Sequence, residues 1–476
     1  MGASISSFAG LARLTPSWAA ALASLFFTVL WAMGIAGGWV GCYTTAILIS
    51  LLFLRTHRRN LLSLSGIFVG LSLIAITLPA APYLLFELEP APGFHASIFL
   101  NSLGQIYFVT LALILVPRRS LYCSDSQLFQ GARWVRFVRA NRLICLITTP
   151  FVFLAITQAG AWGYLFGDRS GDFDRIASLK GFGPLMIFSI INVMALFFWV
   201  SGIWIQGKKW LAFTLAVFFL FLNGFTGGRQ NLISFFLGGL IIYLALNGFN
   251  KKTLFLVPFI GLAIVFMKAF RVSGTDNVLD MPWYVNFFLQ FAGDFDSLNN
   301  DSVLIEYTRE HGFFGFYHIW SSILIYLPRD LFPWKPHDLG GLYLNTYLFP
   351  GVYLGAEGGT GLAIGFQGIW YAVYGIVTLL LGNCLLAISL SWIDRRVYRY
   401  LHYAVPGLFL VTYIFLIGQS VIIYRDGFYA FLNAGLYVSI YFIFYKFTLT
   451  LTKNNANIGS QGHLDKTRGK ELTAIP

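Results

Sequence analysis

Runs of roughly 20 uncharged, mostly apolar residues recur along almost the whole chain. A helix of that length crosses the hydrocarbon core of a bilayer, and within that core only helices and closed barrels satisfy their own backbone. The pattern therefore predicts an all-α polytopic integral membrane protein. Composition agrees, since 57% of the 476 residues are hydrophobic and only 11% are charged, against about 25% in a typical soluble domain. Soluble enzymes, nucleic-acid modules, secreted disulfide scaffolds and disordered tails are excluded. The net charge of +12 then needs a source other than a nucleic-acid partner.

The uncharged runs predict about twelve transmembrane helices. Leu14 to Leu54 is long enough for two, with Gly37-Gly38 as the turn. The next four run near Leu62 to Phe86, Ser97 to Pro117, Leu143 to Tyr164 and Pro184 to Ile205. Three short, closely linked spans follow at Trp210 to Phe225, Leu232 to Asn247 and Thr253 to Met267. After a long connection, three more lie at Ile364 to Trp392, Tyr403 to Tyr424 and Phe428 to Phe447. The chain thus divides into spans one to nine (1–270), a large loop (271–361), spans ten to twelve (362–452) and a polar tail (453–476) expected to be disordered. Within the loop, His311 to Pro328 and Leu339 to Ala356 are apolar enough to add two spans. Their prolines and glycines favour interfacial or re-entrant helices.

Lys and Arg are enriched in cytoplasmic loops. Counted over twelve spans, one side holds 22 Lys and Arg against 4 Asp and Glu, and the other 10 against 16. The +12 is mostly this topology signal. It puts both termini and the arginine-rich loops in the cytoplasm, and the large loop outside. Arg13 before the first apolar pair reads as an uncleaved anchor. The four Cys show no metal or redox spacing and read as structural thiols.

The informative exceptions are cations on the acidic side. Arg229 opens the eighth span within GFTGGRQN, Lys268 and Arg271 close the ninth within MKAFRVSG, and Arg425 closes the eleventh within IIYRDGF. Arg329 and Lys335 lie in the loop. Arginine forms bidentate, charge-assisted bonds to phosphate oxygens, so cations at one membrane border fit a phosphorylated lipid. The alternative is that each snorkels to phospholipid headgroups. A second constellation is the acidic GDFDSLNND, with Asp294, Asp296 and Asp301, followed by Glu306. A carboxylate there fits a general base, a two-carboxylate metal site, or a solvated helix start. The third is LPRDLFPWKPHDLG, where Trp334 and Lys335 suit a sugar-binding lip and His337 suits a base or a solvated loop histidine. The fourth is GAEGGTGLAIGFQG, whose glycines permit a tight lead-in to the tenth span with Glu357 or Gln367 facing a cavity.

Taken in order from about Asn223 to Phe447, these pieces resemble the bacterial oligosaccharide repeat-unit polymerases, the O-antigen polymerase (Wzy-type) family. The subgroup that includes the enterobacterial common antigen polymerase is the most similar in motif order. The resemblance implies a GT-C-like, metal-independent, inverting glycosyltransferase of the bacterial inner membrane that needs no cofactor and acts on the periplasmic side. Its substrate would be an undecaprenyl-pyrophosphate-linked oligosaccharide among membrane lipids, with a chain-length regulator and a flippase as possible partners. It implies pyrophosphate binding by Arg229, Lys268, Arg271, Arg329 and Arg425, sugar binding by Trp334, Lys335 and Gln367, and a base among Asp294, Asp296, Glu357 and His337. An O-antigen ligase or a transporter of lipid-linked sugars is the alternative.

Overall fold

The structure, a computed structural model, describes residues 19–85 with short gaps, 92–116, 132–158, 183–224, 297–324, 364–402 and 408–471, with a few single residues besides. The described residues are helical and contain no strand. In chain order the helices are α1 (Gly37–Thr56), α2 (Leu64–Leu85), α3 (Phe94–Leu115), α4 (Ala132–Gln158), α5 (Gly183–Ile205) and α6 (Lys209–Gly224). Then come α7 (Ser297–His311), α8 (Tyr317–Leu324), α9 (Phe366–Tyr374), α10 (Ile376–His402) and α11 (Leu408–Glu471). Seven of the described helices contain stretches long and apolar enough to cross a membrane: α1 to α5, α10, and Phe431–Thr450 of α11. The chain is a multi-pass membrane protein.

Helices α1, α2, α3, α5 and α6 lie where the uncharged runs place them, because run length alone sets those limits. Helix α4 begins eleven residues earlier than the predicted span, at Ala132 instead of Leu143. Its added turns are amphipathic: Trp134, Phe137, Ala140 and Asn141 are buried, while Arg136, Arg139 and Arg142 are exposed. A charge count ends the span at Arg142, whereas the helix continues because its other face still packs on α5 and α11. Val138 fills the space left by Gly202 of α5, where a Cβ would come within 2.5 Å of it.

The predicted tenth span is broken in two. Gly375, at φ +73°, caps α9 and starts α10. The broken ladder is repaired locally. The Thr378 hydroxyl donates to the Trp370 carbonyl at 2.7 Å and accepts from the Tyr374 amide at 3.0 Å. The amides of Phe314 and Gly315, between α7 and α8, donate to the Ala372 and Val373 carbonyls at 2.9 and 3.2 Å. Irregular backbone at membrane depth is stable only when such partners are supplied by protein.

Helix α11 joins the predicted eleventh and twelfth spans and runs on as helix through 453–471, the segment expected to be a disordered tail. It is nevertheless not straight. The rings of Phe415 and Tyr437 lie 6.1 Å apart, although 22 residues of straight helix would separate them by roughly 33 Å. The chain therefore folds back between them. Side chains on both arms agree. Tyr413 lies beside Asp394 near the end of α10, and Tyr441 bonds Asn141 near the start of α4. Both anchors belong to the arginine-rich end of the bundle. The reversal thus sits toward the opposite end and carries Arg425 with it.

The basic end is tied together by backbone satisfaction. The buried Asp394 carboxylate accepts from the Leu64 and Ser65 amides at 3.0 and 3.1 Å, satisfying donors at the start of α2. Arg395 donates to the Leu115 carbonyl at 2.8 Å, closing the last turn of α3. In a background lacking the native cysteines, Phe415→Cys with Tyr437→Cys is expected to crosslink readily under mild oxidation. Absence of the crosslink, read by gel mobility after proteolysis between the two positions, would mean a straight helix.

Candidate functional site

Helix α7 is the polar exception among the packed helices. Leu298, Asp301, Ile305 and Thr308, at helical spacing, form one buried stripe, and Arg309, Glu310 and His311 are exposed. A carboxylate thus occupies an otherwise apolar face. It rests against α3 and the start of α9. The Asn299 amide donates to the Tyr83 hydroxyl at 3.0 Å and ties α7 to the end of α2 as well.

Asp301 is 1% exposed. Its Oδ2 accepts from Asn101 Nδ2 of α3 at 3.0 Å, and its Oδ1 accepts from the Gly365 amide at 3.2 Å. Gly365 is the residue that caps the start of α9, so the carboxylate faces the positive end of that helix. Tyr424, the residue before Arg425, lies within electrostatic range of Asp301. Asn101 is seven residues into α3, about 10 Å along its axis. Asp301 therefore lies well inside the bundle, near the end opposite to Arg395.

A second polar pair adjoins the first. Gln367 and Asn383 exchange amide hydrogen bonds, Gln367 Nε2 donating to Asn383 Oδ1 at 3.0 Å and Asn383 Nδ2 donating back at 2.5 Å. Further along α3, Gln105 donates to the Ser50 hydroxyl of α1 at 2.7 Å. A narrow cleft lined by Asn101, Asp301, Gln367, Gly368 and Tyr371, with Leu100, Ile305 and Leu379, lies between α3, α7 and α9. It is too tight to admit a water molecule.

Two glycines make the approach possible. A Cβ on Gly368 would fall 2.2 Å from Asp301 Oδ1, and one on Gly104 would fall 2.3 Å from Gln367 Oε1. Here the glycines of the predicted lead-in serve close packing of helix on carboxylate.

Of the residues singled out from the sequence, Gln367 is placed on the cleft wall, buried and paired to Asn383. Arg425 falls on α11. Arg229, Lys268, Arg271, Asp294, Asp296, Arg329, Trp334, Lys335, His337 and Glu357 lie outside the described residues, as do the predicted eighth and ninth spans apart from Gly239. Among the acids of GDFDSLNND, the described one is Asp301, which sequence reasoning counted but did not single out. Asn101 and Asn383 were missed. A signal existed: Ser97, Asn101 and Gln105 recur every four residues in an apolar span and so share one helix face.

Fold and site together define a class: a multi-pass helical membrane protein with a buried carboxylate and buried amides packed between α3, α7 and α9. Comparison with known proteins narrows this. The chain is 23% identical over 198 residues to the O-antigen polymerase of Salmonella typhimurium (strain LT2) and to that of Salmonella typhi. The match covers 41% of this chain and 44% of each relative, so it spans less than half the length of these proteins. No family model matches, and no solved structure matches. The similarity is to proteins named O-antigen polymerase, and the apolar helices are those of a multi-pass membrane protein.

The site geometry makes a sharp prediction. Alanine in place of a helical glycine ordinarily stabilises by about 1 kcal/mol, and Gly70→Ala in α2, with open space around it, should raise or maintain the unfolding temperature in detergent. Gly368→Ala should lower it, by an overpacking cost of ~1–3 kcal/mol. Equal shifts for the two would contradict the described contact with Asp301.

Proposed function

We propose that this protein polymerises undecaprenyl-pyrophosphate-linked oligosaccharide repeat units at the periplasmic face of the inner membrane. The observation that carries the reading is the similarity to O-antigen polymerases in a chain with many membrane spans. The reducing-end sugar of the growing glycan moves from its lipid pyrophosphate to a hydroxyl on the non-reducing sugar of a second unit. A new glycosidic C–O bond forms, the bond from the anomeric carbon to pyrophosphate breaks, and the hydroxyl proton passes to a base. Attack opposite the leaving group inverts the anomeric centre. The fold is proposed to be GT-C-like with twelve spans, and the protein to resemble the subgroup that includes the enterobacterial common antigen polymerase.

The leaving pyrophosphate gathers negative charge as the bond breaks, and preorganised cations stabilise that charge without reorganisation. Arg229, Lys268, Arg271, Arg329 and Arg425 are assigned this role, without a metal. The base is one of Asp294, Asp296, Glu357 and His337, and Trp334 and Lys335 contact sugar, whereas Gln367, buried and paired to Asn383, holds the cleft wall instead of meeting sugar. The end of the bundle carrying Asp301 and Arg425 is assigned to the periplasmic side, which the sequence count of 10 Lys and Arg on that side against 22 on the other supports. A chain-length regulator and the flippase that supplies the substrate are the proposed partners.

Purified protein supplied with a defined lipid-linked repeat unit alone should give a ladder of products by mass spectrometry. A ligase would need a separate core acceptor, and a transporter would move the lipid without lengthening it. Arg271→Ala and Arg229→Ala should each abolish the ladder in protein that still elutes as a folded species. Normal chain length in those variants would remove both residues from the site.

A further inference from the structure

We infer that Asp301 is a positioning residue of the transfer site, its buried carboxylate clasping the glycine-rich lead-in of α9 to α3. The inference rests on the polymerase reading and deepens it. Two separate sequence elements meet at this one side chain, the acidic stretch that contributes Asp301 itself and the lead-in that donates the Gly365 amide, and Tyr424 lies within electrostatic range of it. Helix α3 supplies the fixed wall through Asn101. Asp301 is buried and both of its carboxylate oxygens accept from neighbouring chain, so it acts on the geometry of those neighbours. What it holds is the register of residues 365–368, and with them Gln367 and its partner Asn383.

The donors explain why a carboxylate is used. Asn101 Nδ2 and the Gly365 amide both donate, and a carboxylate offers acceptors to both at once. An asparagine at 301 would turn its own amide hydrogens toward one of them. Asn101 Oδ1, buried and without a hydrogen-bond partner, shows how the clasp could be rebuilt. In the exchange Asn101→Asp with Asp301→Asn, the new asparagine accepts from Gly365 and donates to the new aspartate. The contact between 101, 301 and Gly365 survives with its carboxylate moved to α3, at the loss of the bond that Asn101 Nδ2 also donates to the Ser97 carbonyl.

The test uses the full-length protein elongating a defined lipid-linked repeat unit. A misplacement of about 1 Å in a positioning element costs on the order of 100-fold. Asp301→Ala should therefore lower kcat by about that factor with KM for the lipid-linked unit changed by less than about threefold, and the exchange should restore kcat to within about fivefold of the parent. An exchange variant that folds but remains as slow as Asp301→Ala would overturn the inference, because the carboxylate would then be needed at 301 itself. So would a normal kcat in Asp301→Ala. A thiol readout independent of turnover accompanies this. Ile364→Cys, at a buried position, should resist maleimide in the parent and in the exchange variant and react in Asp301→Asn and Asp301→Ala. Uniform protection would overturn the clasp. If the parent fails to elongate, the polymerase reading fails, and the thiol pattern still decides the clasp.

Discussion

A carboxylate buried in a membrane-spanning bundle is the constraint around which this end of the molecule is arranged. Leaving such a group without donors costs several kcal/mol, and in a bilayer no water is at hand to supply them. Asp301 is answered by an amide side chain from α3 and a backbone amide at the start of α9. Those bonds require three helices to approach closely, which in turn requires Gly368 where a Cβ would collide with the carboxylate. The break at Gly375 follows the same logic, since α9 is a short helix that ends against α10 and has its freed carbonyls taken by the chain between α7 and α8. At the far end, Asp394 satisfies the start of α2 in a comparable way. Each end of the described bundle is therefore pinned by one buried acid, Asp301 at one and Asp394 at the other.

This arrangement suits chemistry at a lipid headgroup. A substrate carried on a polyprenyl pyrophosphate presents its scissile bond at the membrane border, where a rigid wall of packed helices can hold one partner while loops supply charge. Buried polar pairs such as Gln367 with Asn383 hold that wall in a single arrangement. Catalytic precision depends on such support, because effective molarity falls steeply when reacting groups are displaced.

Much of the fold was legible in the sequence. The length of an uncharged run fixes a span, so α1, α2, α3, α5 and α6 lie near their predicted places. Arg425-Asp426-Gly427 interrupts two apolar runs in the sequence, and the structure carries helix across it while bringing Phe415 and Tyr437 together. Charge misled at α4, whose arginines lie on the exposed face of a continuing helix. The tenth span was read as one helix because a single glycine does not reveal whether its backbone takes a positive φ. The site was less legible. Gln367 was read as facing a cavity and does line the cleft, but Asp301 and Asn101 are 200 residues apart, and no local periodicity reports a contact of that range. Most of the cations and bases inferred from motif order lie outside the described residues, so their roles rest on chemistry and resemblance.

The central claim is that the Asp301 end of the bundle faces away from the cytoplasm. The direct measurement is labelling of single cysteines with a membrane-impermeant maleimide in sealed right-side-out vesicles, in a background lacking the native thiols. Arg309→Cys on the exposed face of α7 should label at once in intact vesicles. Arg396→Cys, exposed at the basic end of α10, should label only after the membrane is permeabilised. Labelling of Arg396→Cys in sealed vesicles with Arg309→Cys protected would contradict the account.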